Sequence, residues 1–457
     1  MEVSFQKTDA LTVLIKVRLK EADYQDRIDK KIKEIARNAH ISGFRPGKVP
    51  PAIIRNRYGK SIKMEQVISL SEEAMQNCLR ENNFSPLLKP LLQDPAEQPD
   101  WLHQSDFEFS YEVGLKPEVQ LSVGKNITVR KPIFSPPTEE ELDKHIQELR
   151  YRYASSKEIE EVADSPNVFI KFKVVTVDGM PIYIPTSLAS EEKLPFFTEN
   201  NYLVGVANLY QDLGEHKELF IGKKVGEQIT VDIREIFPTD EQIGRFFPLF
   251  PKESLPLVRG KFIMTIQAIF ERQLPELNED FFELVFGNSQ EIKEESAFRE
   301  QLRQIKQREI ELAQKRAMVE DFKNQLLEAH PFLLPDEFIK RWLKVHANYT
   351  PQEVENNYEY FSRDLRLEMI LNKLLKDRNI QVEREDLIQV LKEIAVSNLL
   401  QERRYGAIQY EELFALSLLN NSEKKQLADY TKYAKLSKLL EACMEEITIV
   451  EYVPQFK

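Results

Sequence analysis

The sequence predicts a multidomain α+β protein. It divides into an N-terminal α+β domain over residues 1–115, a linker with a helix over 116–156, a β-rich domain over 157–270 and an all-α C-terminal body over 271–457. Three observations carry this expectation. The chain has 457 residues, enough for two to four domains, each with an adequate core. Apolar residues alternate with a period of two near the N-terminus and form β-branched runs in the middle. From about Glu295 to near the end they recur at helical spacing. A hydrophobic content of 42% beside 30% charged residues is that of a globular chain, and the 14 glycines are few enough for helices to dominate.

Taken in order, Leu11, Val13, Ile15, Val17 and Leu19 alternate with polar residues and predict a half-buried strand. Tyr24, Ile28, Ile32 and Ile35 then fall at helical spacing. After them comes Gly43-Phe44-Arg45-Pro46-Gly47-Lys48-Val49-Pro50, whose composition is that of an exposed loop tip. Gly43 and Gly47 free the backbone, while Pro46 and Pro50 stiffen it. One aromatic, Phe44, stands beside two cations, Arg45 and Lys48. Phe44 suits an apolar pocket on a partner, with the cations pairing to phosphates or carboxylates. The same residues also fit a tight turn with Phe44 tucked into its own core. Beyond the loop, Pro50-Pro51 opens a short helix, and a second helix carries Met64, Val67, Ile68, Met75, Cys78 and Leu79. Phe107, Phe109, Tyr111 and Val113 form another alternating strand.

Charge is unevenly spread. The net charge is −12, yet ten basic residues lie between Arg27 and Lys60, opposed only by Asp29 and Glu34. A basic patch bracketing a loop with an aromatic tip suits RNA phosphates, with salt-dependent affinity. The eight loop residues match the G-F-R-x-G-K-x-P ribosome-binding signature, and on that match the chain resembles the trigger factor family of bacterial nascent-chain chaperones. The resemblance implies that Gly43, Phe44, Arg45, Pro46, Gly47, Lys48 and Pro50 bind the ribosome. The implied partners are a large-subunit protein at the exit tunnel, nearby ribosomal RNA, and nascent or unfolded polypeptides.

Lys116-Pro117-Glu118-Val119 begins the linker, and Thr138 with Glu141 forms a capping box for a helix carrying Leu142, Ile146 and Leu149. Val168 to Asp178 reads as a strand ending in a hairpin-type turn at Asp178-Gly179. The stretches 222–232 and 260–269 are similar to strands of the FKBP-like peptidyl-prolyl isomerase domain that the family carries at this place. The active-site part departs from the family pattern: Leu213-Gly214-Glu215-His216-Lys217-Glu218-Leu219 replaces an Ile-Pro-Gly-Phe-like turn, and Thr239 follows Phe237-Pro238 where an aromatic hydroxyl is usual. Isomerisation needs a desolvated apolar pocket for the twisted amide, which charged side chains do not line cheaply. The expectation is a retained fold with weak or absent isomerase activity. Phe262 aligns with a pocket aromatic and is the one catalytic-site candidate, although a Phe in a strand belongs more often to a core.

Phe298, Ile305, Leu312, Val319 and Leu326 recur every seven residues on a long helix that must pack against another. Pro335 and a Thr350-Pro351-Gln352-Glu353 capping box open further helices, and two more cover about 384–402 and 422–447. These are similar to the family's C-terminal chaperone body. The six histidines lack metal-ligand spacing, and neither a phosphate loop nor a nucleophile elbow occurs, so no metal or cofactor is expected. Cys78 and Cys443 lie far apart, the first residues do not read as a signal peptide, and no ~20-residue apolar run occurs. A cytoplasmic location without membrane contact is expected. The heptad stripe leaves a homodimer off the ribosome open. The functional expectation is an ATP-independent chaperone at the ribosomal exit tunnel; the alternative is an active peptidyl-prolyl cis-trans isomerase.

Overall fold

A computed structural model describes residues 1–40, 44, 48–93, 99–177, 183–185, 193–195, 202–248, 250, 252–287 and 292–454. In chain order the first elements are β1 (Glu2–Lys7), β2 (Thr12–Leu19), α1 (Glu21–Asn38), α2 (Pro51–Glu81), β3 (Leu91–Leu92), β4 (Phe107–Gly114) and β5 (Thr128–Pro132). Then follow α3 (Glu139–Arg152), β6 (Ser155–Ile159), β7 (Val168–Thr176), β8 (Tyr183–Pro185), β9 (Lys193–Pro195), β10 (Leu203–Asn208) and β11 (Gln228–Asp232). The rest is α4 (Ile233–Ile236), α5 (Asp240–Phe246), β12 (Lys261–Gln273), α6 (Glu279–Phe286), α7 (Glu295–Ala329), α8 (Asp336–His346), α9 (Pro351–Asp377), α10 (Arg384–Gln401), α11 (Glu411–Asn421), α12 (Lys424–Cys443) and β13 (Thr448–Tyr452). They fall into two compact units, one of residues 1–134, 313–392 and 415–457, the other of 135–312 and 393–414.

In the first unit, β2 presents Val13, Ile15, Val17 and Leu19 to the core, all at most 1% exposed. The sheet order is β1-β2-β4-β3, and α1 and α2 cover it with Tyr24, Ile28, Ile32, Ile54, Ile62 and Val67. The two helices expected after the loop are one: α2 runs unbroken for 31 residues. Its buried positions, from Ile54 to Leu79, keep one face against the sheet and α1 and carry it through Gly59, whose helix cost is only about 1 kcal/mol. Gly114 at the end of β4 is required by packing, because a Cβ there would lie 2.3 Å from the Phe338 ring on α8. Beside that contact, the Arg341 guanidinium donates to the buried Glu112 carboxylate.

The extended linker contains β5, which pairs in parallel with β13, Thr448 opposite Thr128. Below this pair lies a helical core in which Val319, Phe322 and Leu326 of α7 meet Leu371 and Leu374 of α9 and Leu439 of α12. Thr350 caps α9 as expected, its hydroxyl accepting from the Glu353 N–H at 3.3 Å.

The second unit holds a five-stranded sheet with the path β10-β7-β12-β11, and β6 also pairs with β12. A bulge between Ile266 and Ala268 lets 13-residue β12 bend and serve β11 at one end and β6 at the other. On its inner face Phe172 of β7 and Phe262 of β12 share a core with Phe220, Phe237 and Phe246 from the segments that cover the sheet, each at most 1% exposed. A second core joins α3 (Leu142, Ile146, Leu149), α6 (Phe281, Phe282) and the start of α7 (Phe298, Leu302) to Val396 and Leu400 of α10. The heptad stripe is thus buried within its own chain, Phe298 and Ile305 in this core and Val319 and Leu326 in the first unit's.

Candidate functional site

The candidate loop lies between α1 and α2. Helix α1 ends at Asn38, where the Ala39 N–H still donates to the Ile35 carbonyl at 2.8 Å. Extended Pro50 then precedes Pro51, which opens α2 where no N–H is needed. Phe44 is 39% exposed, so it is not tucked into the domain core. Lys48 and Pro50 are exposed, and Gly43, Arg45, Pro46 and Gly47 lie outside the described residues. Val49, which the sequence reading passed over, is 4% exposed and belongs to the N-terminal core. Its side chain pins the return of the loop directly beside Lys48. The signal for it was an apolar residue between a cation and a proline in an otherwise polar tip.

Electrostatics around the loop follow from which cations are already paired. Arg55 holds Asp29 at 2.6 Å and Lys31 holds Glu34 at 3.4 Å, so both acids of the patch are engaged. Arg27 turns to Glu73 of α2 with two contacts of 2.8 and 2.7 Å, which hold that carboxyl below its usual range. Lys30, Lys33, Arg37, Lys48 and Lys60 are exposed and have no ion pair among the described residues. On α1, Lys30, Lys33 and Arg37 lie opposite the buried face of Tyr24, Ile28, Ile32 and Ala36. The arrangement is one exposed ring on an anchored loop, with cations on the loop and on the outer face of α1 that have no ion pair among the described residues. Its residue types are those that suit contact with an apolar pocket and with anions, and no cluster able to hold a metal ion occurs among the described residues.

The other candidate, Phe262, is 1% exposed and paired across the sheet with Val231 and Thr176. It belongs to the aromatic core of the second unit, whereas the loop belongs to the first. The charged turn is a short 3-10 helix, Gly214–Leu219, flanked by buried Leu213 and Phe220. Its Lys217 donates to Asp164 at 3.1 Å and lies over the Tyr210 ring.

Three family descriptions match successive parts of the sequence. "Bacterial trigger factor protein (TF)" matches residues 1–149, "Probable trigger factor, FKBP-like domain" residues 207–274, and "Probable trigger factor, C-terminal domain" residues 313–452. The chain belongs to the trigger factor family. The trigger factor of Marinobacter nauticus is 26% identical over 86% of this chain and 86% of its own. That of Shewanella sp. (strain MR-4) is 25% identical over 99% of this chain and 96% of its own. The Aeromonas hydrophila trigger factor is 28% identical over 73% of this chain and 70% of its own. The loop thus lies inside the segment matched to the trigger factor N-terminal part, and Phe262 inside the segment matched to its FKBP-like domain.

Proposed function

We propose that this chain is a trigger factor-type, ATP-independent chaperone that docks at the ribosomal exit tunnel through Gly43, Phe44, Arg45, Pro46, Gly47, Lys48 and Pro50. The ring of Phe44 enters an apolar pocket on a large-subunit protein, and the cations meet ribosomal RNA phosphates. The domains act as 1–115 for docking, 116–156 as linker, 157–270 as the FKBP-like part and 271–457 as the chaperone body, in the cytoplasm. The observation that carries this reading is the exposure of Phe44 on a loop pinned by Val49, beside exposed cations free of ion pairs among the described residues. Nascent chains emerging nearby are held by dispersed apolar side chains and released without nucleotide.

Ribosome pelleting at two salt concentrations tests it, with the loop intact and with Phe44, Arg45 and Lys48 replaced by Ala. The reading requires salt-sensitive pelleting of the wild type and its loss in the variant. Pelleting indifferent to the loop would leave an RNA-binding scaffold as the better account.

Isomerase activity is not the main function on this reading. Phe237 and Phe246 stack at 4.4 Å and Phe172 meets Phe220 edge-on at 5.6 Å, so these rings spend their faces on one another.

A further inference from the structure

Among the described residues, strand β10 is one edge of the five-stranded sheet, and no strand pairs with its outer side. Leu209 donates to the Val168 carbonyl at 2.9 Å, which fixes the phase of the β10–β7 ladder. Leu203, Gly205 and Ala207 therefore turn their N–H and C=O groups to β7, and Val204, Val206 and Asn208 turn theirs outward. Asn208 is closed off, since its N–H donates to the Asp212 carboxylate at 2.8 Å. Val204 and Val206 keep two outward donors and two outward acceptors, and no main-chain partner for them occurs among the described residues.

Their side chains are also open, Val204 at 40% and Val206 at 39% exposure. Edge strands are normally protected by charge, proline or brevity. Among the described edge strands longer than three residues, β1, β5, β6, β11 and β13 each carry charged side chains, and β10 (Leu-Val-Gly-Val-Ala-Asn) carries none. Nor is β10 free to slip or collapse inward. A Cβ at Gly205 would lie 2.3 Å from Phe246, so that ring packs directly on the strand from the core side and fixes it.

We propose that the free edge of β10 is a docking site for an extended, unfolded polypeptide segment, which adds as a further strand beside Val204–Val206. Only an extended main chain offers donors and acceptors at the spacing this edge leaves open. The cross-strand neighbours choose among segments. Lys173 lies opposite Val204 and Lys171 opposite Val206, on the same outer face. The segment that fits carries β-branched or aromatic residues toward the valines and acidic residues toward the two lysines. This deepens the chaperone reading by assigning the FKBP-like part a main-chain contact with clients that does not use a proline pocket.

The test uses the full-length chain and a fluorescein-labelled nonapeptide of alternating valine and threonine with glutamate at both ends, followed by fluorescence anisotropy. Val204→Pro and Val206→Pro each remove one outward N–H and leave the bonds to β7 intact. Each is expected to weaken binding at least tenfold. The wild type is expected to bind a peptide N-methylated at alternate residues, on the amides facing β10, at least tenfold more weakly than the parent. This arm needs no variant to fold. Val206→Glu, which leaves the backbone untouched but replaces the apolar contact with a carboxylate that repels the glutamates of the peptide, is expected to weaken binding as the prolines do. Equal binding of the parent and N-methylated peptides, or no binding by the wild type, would overturn the proposal. So would a wild type that self-associates through this edge, with monomeric proline variants, because the occupant would then be a second copy. Ribosome pelleting is measured in parallel. Its loss on changing the loop, with peptide binding retained, separates the docking reading from this one.

Discussion

Replacing Phe44 by Ala should weaken ribosome binding about 30-fold. A phenylalanine side chain buries ~200 Å² when fully covered, and at 39% exposure ~80 Å² remains for a partner to cover. At ~25 cal/mol per Å² that surface is worth about 2 kcal/mol, which corresponds to the stated factor. Phe44 bears no charge, so its loss should leave the salt dependence unchanged. The slope of log affinity against log salt belongs to the cations. If Lys30, Lys33, Arg37 and Lys48 each neutralise one phosphate, affinity falls about a hundredfold between 50 and 200 mM salt, and Lys48→Ala lowers the slope by about 0.9.

Titrating the labelled chain with ribosomes at both salt concentrations reads affinity and slope together. The two variants then form a signature: Phe44→Ala shifts the line, and Lys48→Ala tilts it. A Phe44→Ala affinity within twofold of wild type would refute the argument that the ring is the apolar anchor. Were Phe44→Ala to tilt the line instead, the ring would be holding cations in place and not filling a pocket.

Three further outcomes follow from packing and charge. Gly114→Ala forces a Cβ into the Phe338 ring and should cost ~1–3 kcal/mol in denaturant unfolding; adding Phe338→Leu should recover part of it. Phe262→Ala should cost ~3–5 kcal/mol in stability while leaving prolyl isomerisation of a short peptide near background in both proteins; a high wild-type rate that falls in the variant would establish an isomerase. Burial pushes the His145 pKa down to about 4, helped by Lys306 and Arg403 and opposed by Glu148, while its Nε2 meets the Tyr405 hydroxyl at 2.7 Å. Because the folded pKa lies below the unfolded value of about 6.5, the unfolded chain takes the proton first. Stability is held above pH 6.5 and falls by about 3 kcal/mol down to pH 4, and unfolding midpoints of His145→Gln should show a flatter profile over that window.

What the sequence made legible was periodic or locally capped. The β2 alternation, the Thr138 and Thr350 caps and the β7, β11 and β12 runs all rest on neighbours within a few residues, and each is present. What it did not reveal depends on remote partners. The β5–β13 pair joins residues some 320 apart, and neither five-residue stretch signals a strand until the other lies beside it. The continuity of α2 through Gly59 is decided by its burial against α1 and the sheet, which overrides a local helix penalty. β10 passed unread because Gly205 interrupts a short apolar run, and only Phe246 explains the glycine. At the loop, residue types gave the chemistry, but the exposure of Phe44 and the anchoring by Val49 depend on the fold.

Release without nucleotide places a bound on how clients are held. In the first unit, Leu333 is 78% exposed, Tyr360 73% and Val345 61%; in the second, Leu413 is 65% exposed. Val345 lies between Lys344 and His346, Leu413 follows Glu411 and Glu412, and Tyr360 follows Glu359, whereas Leu333 stands between Phe332 and Leu334. Covering one such side chain yields ~1–2 kcal/mol, and the cost of association consumes several of these contacts before any affinity appears. Micromolar binding, about −8 kcal/mol, therefore requires several contacts at once, and losing any one returns most of the complex to free chain. A continuous apolar groove would have bound tightly enough to need an energy source for release. The dispersed pattern, with main-chain pairing at β10 as a contact indifferent to most client side chains, suits a chaperone that meets every sequence and keeps none.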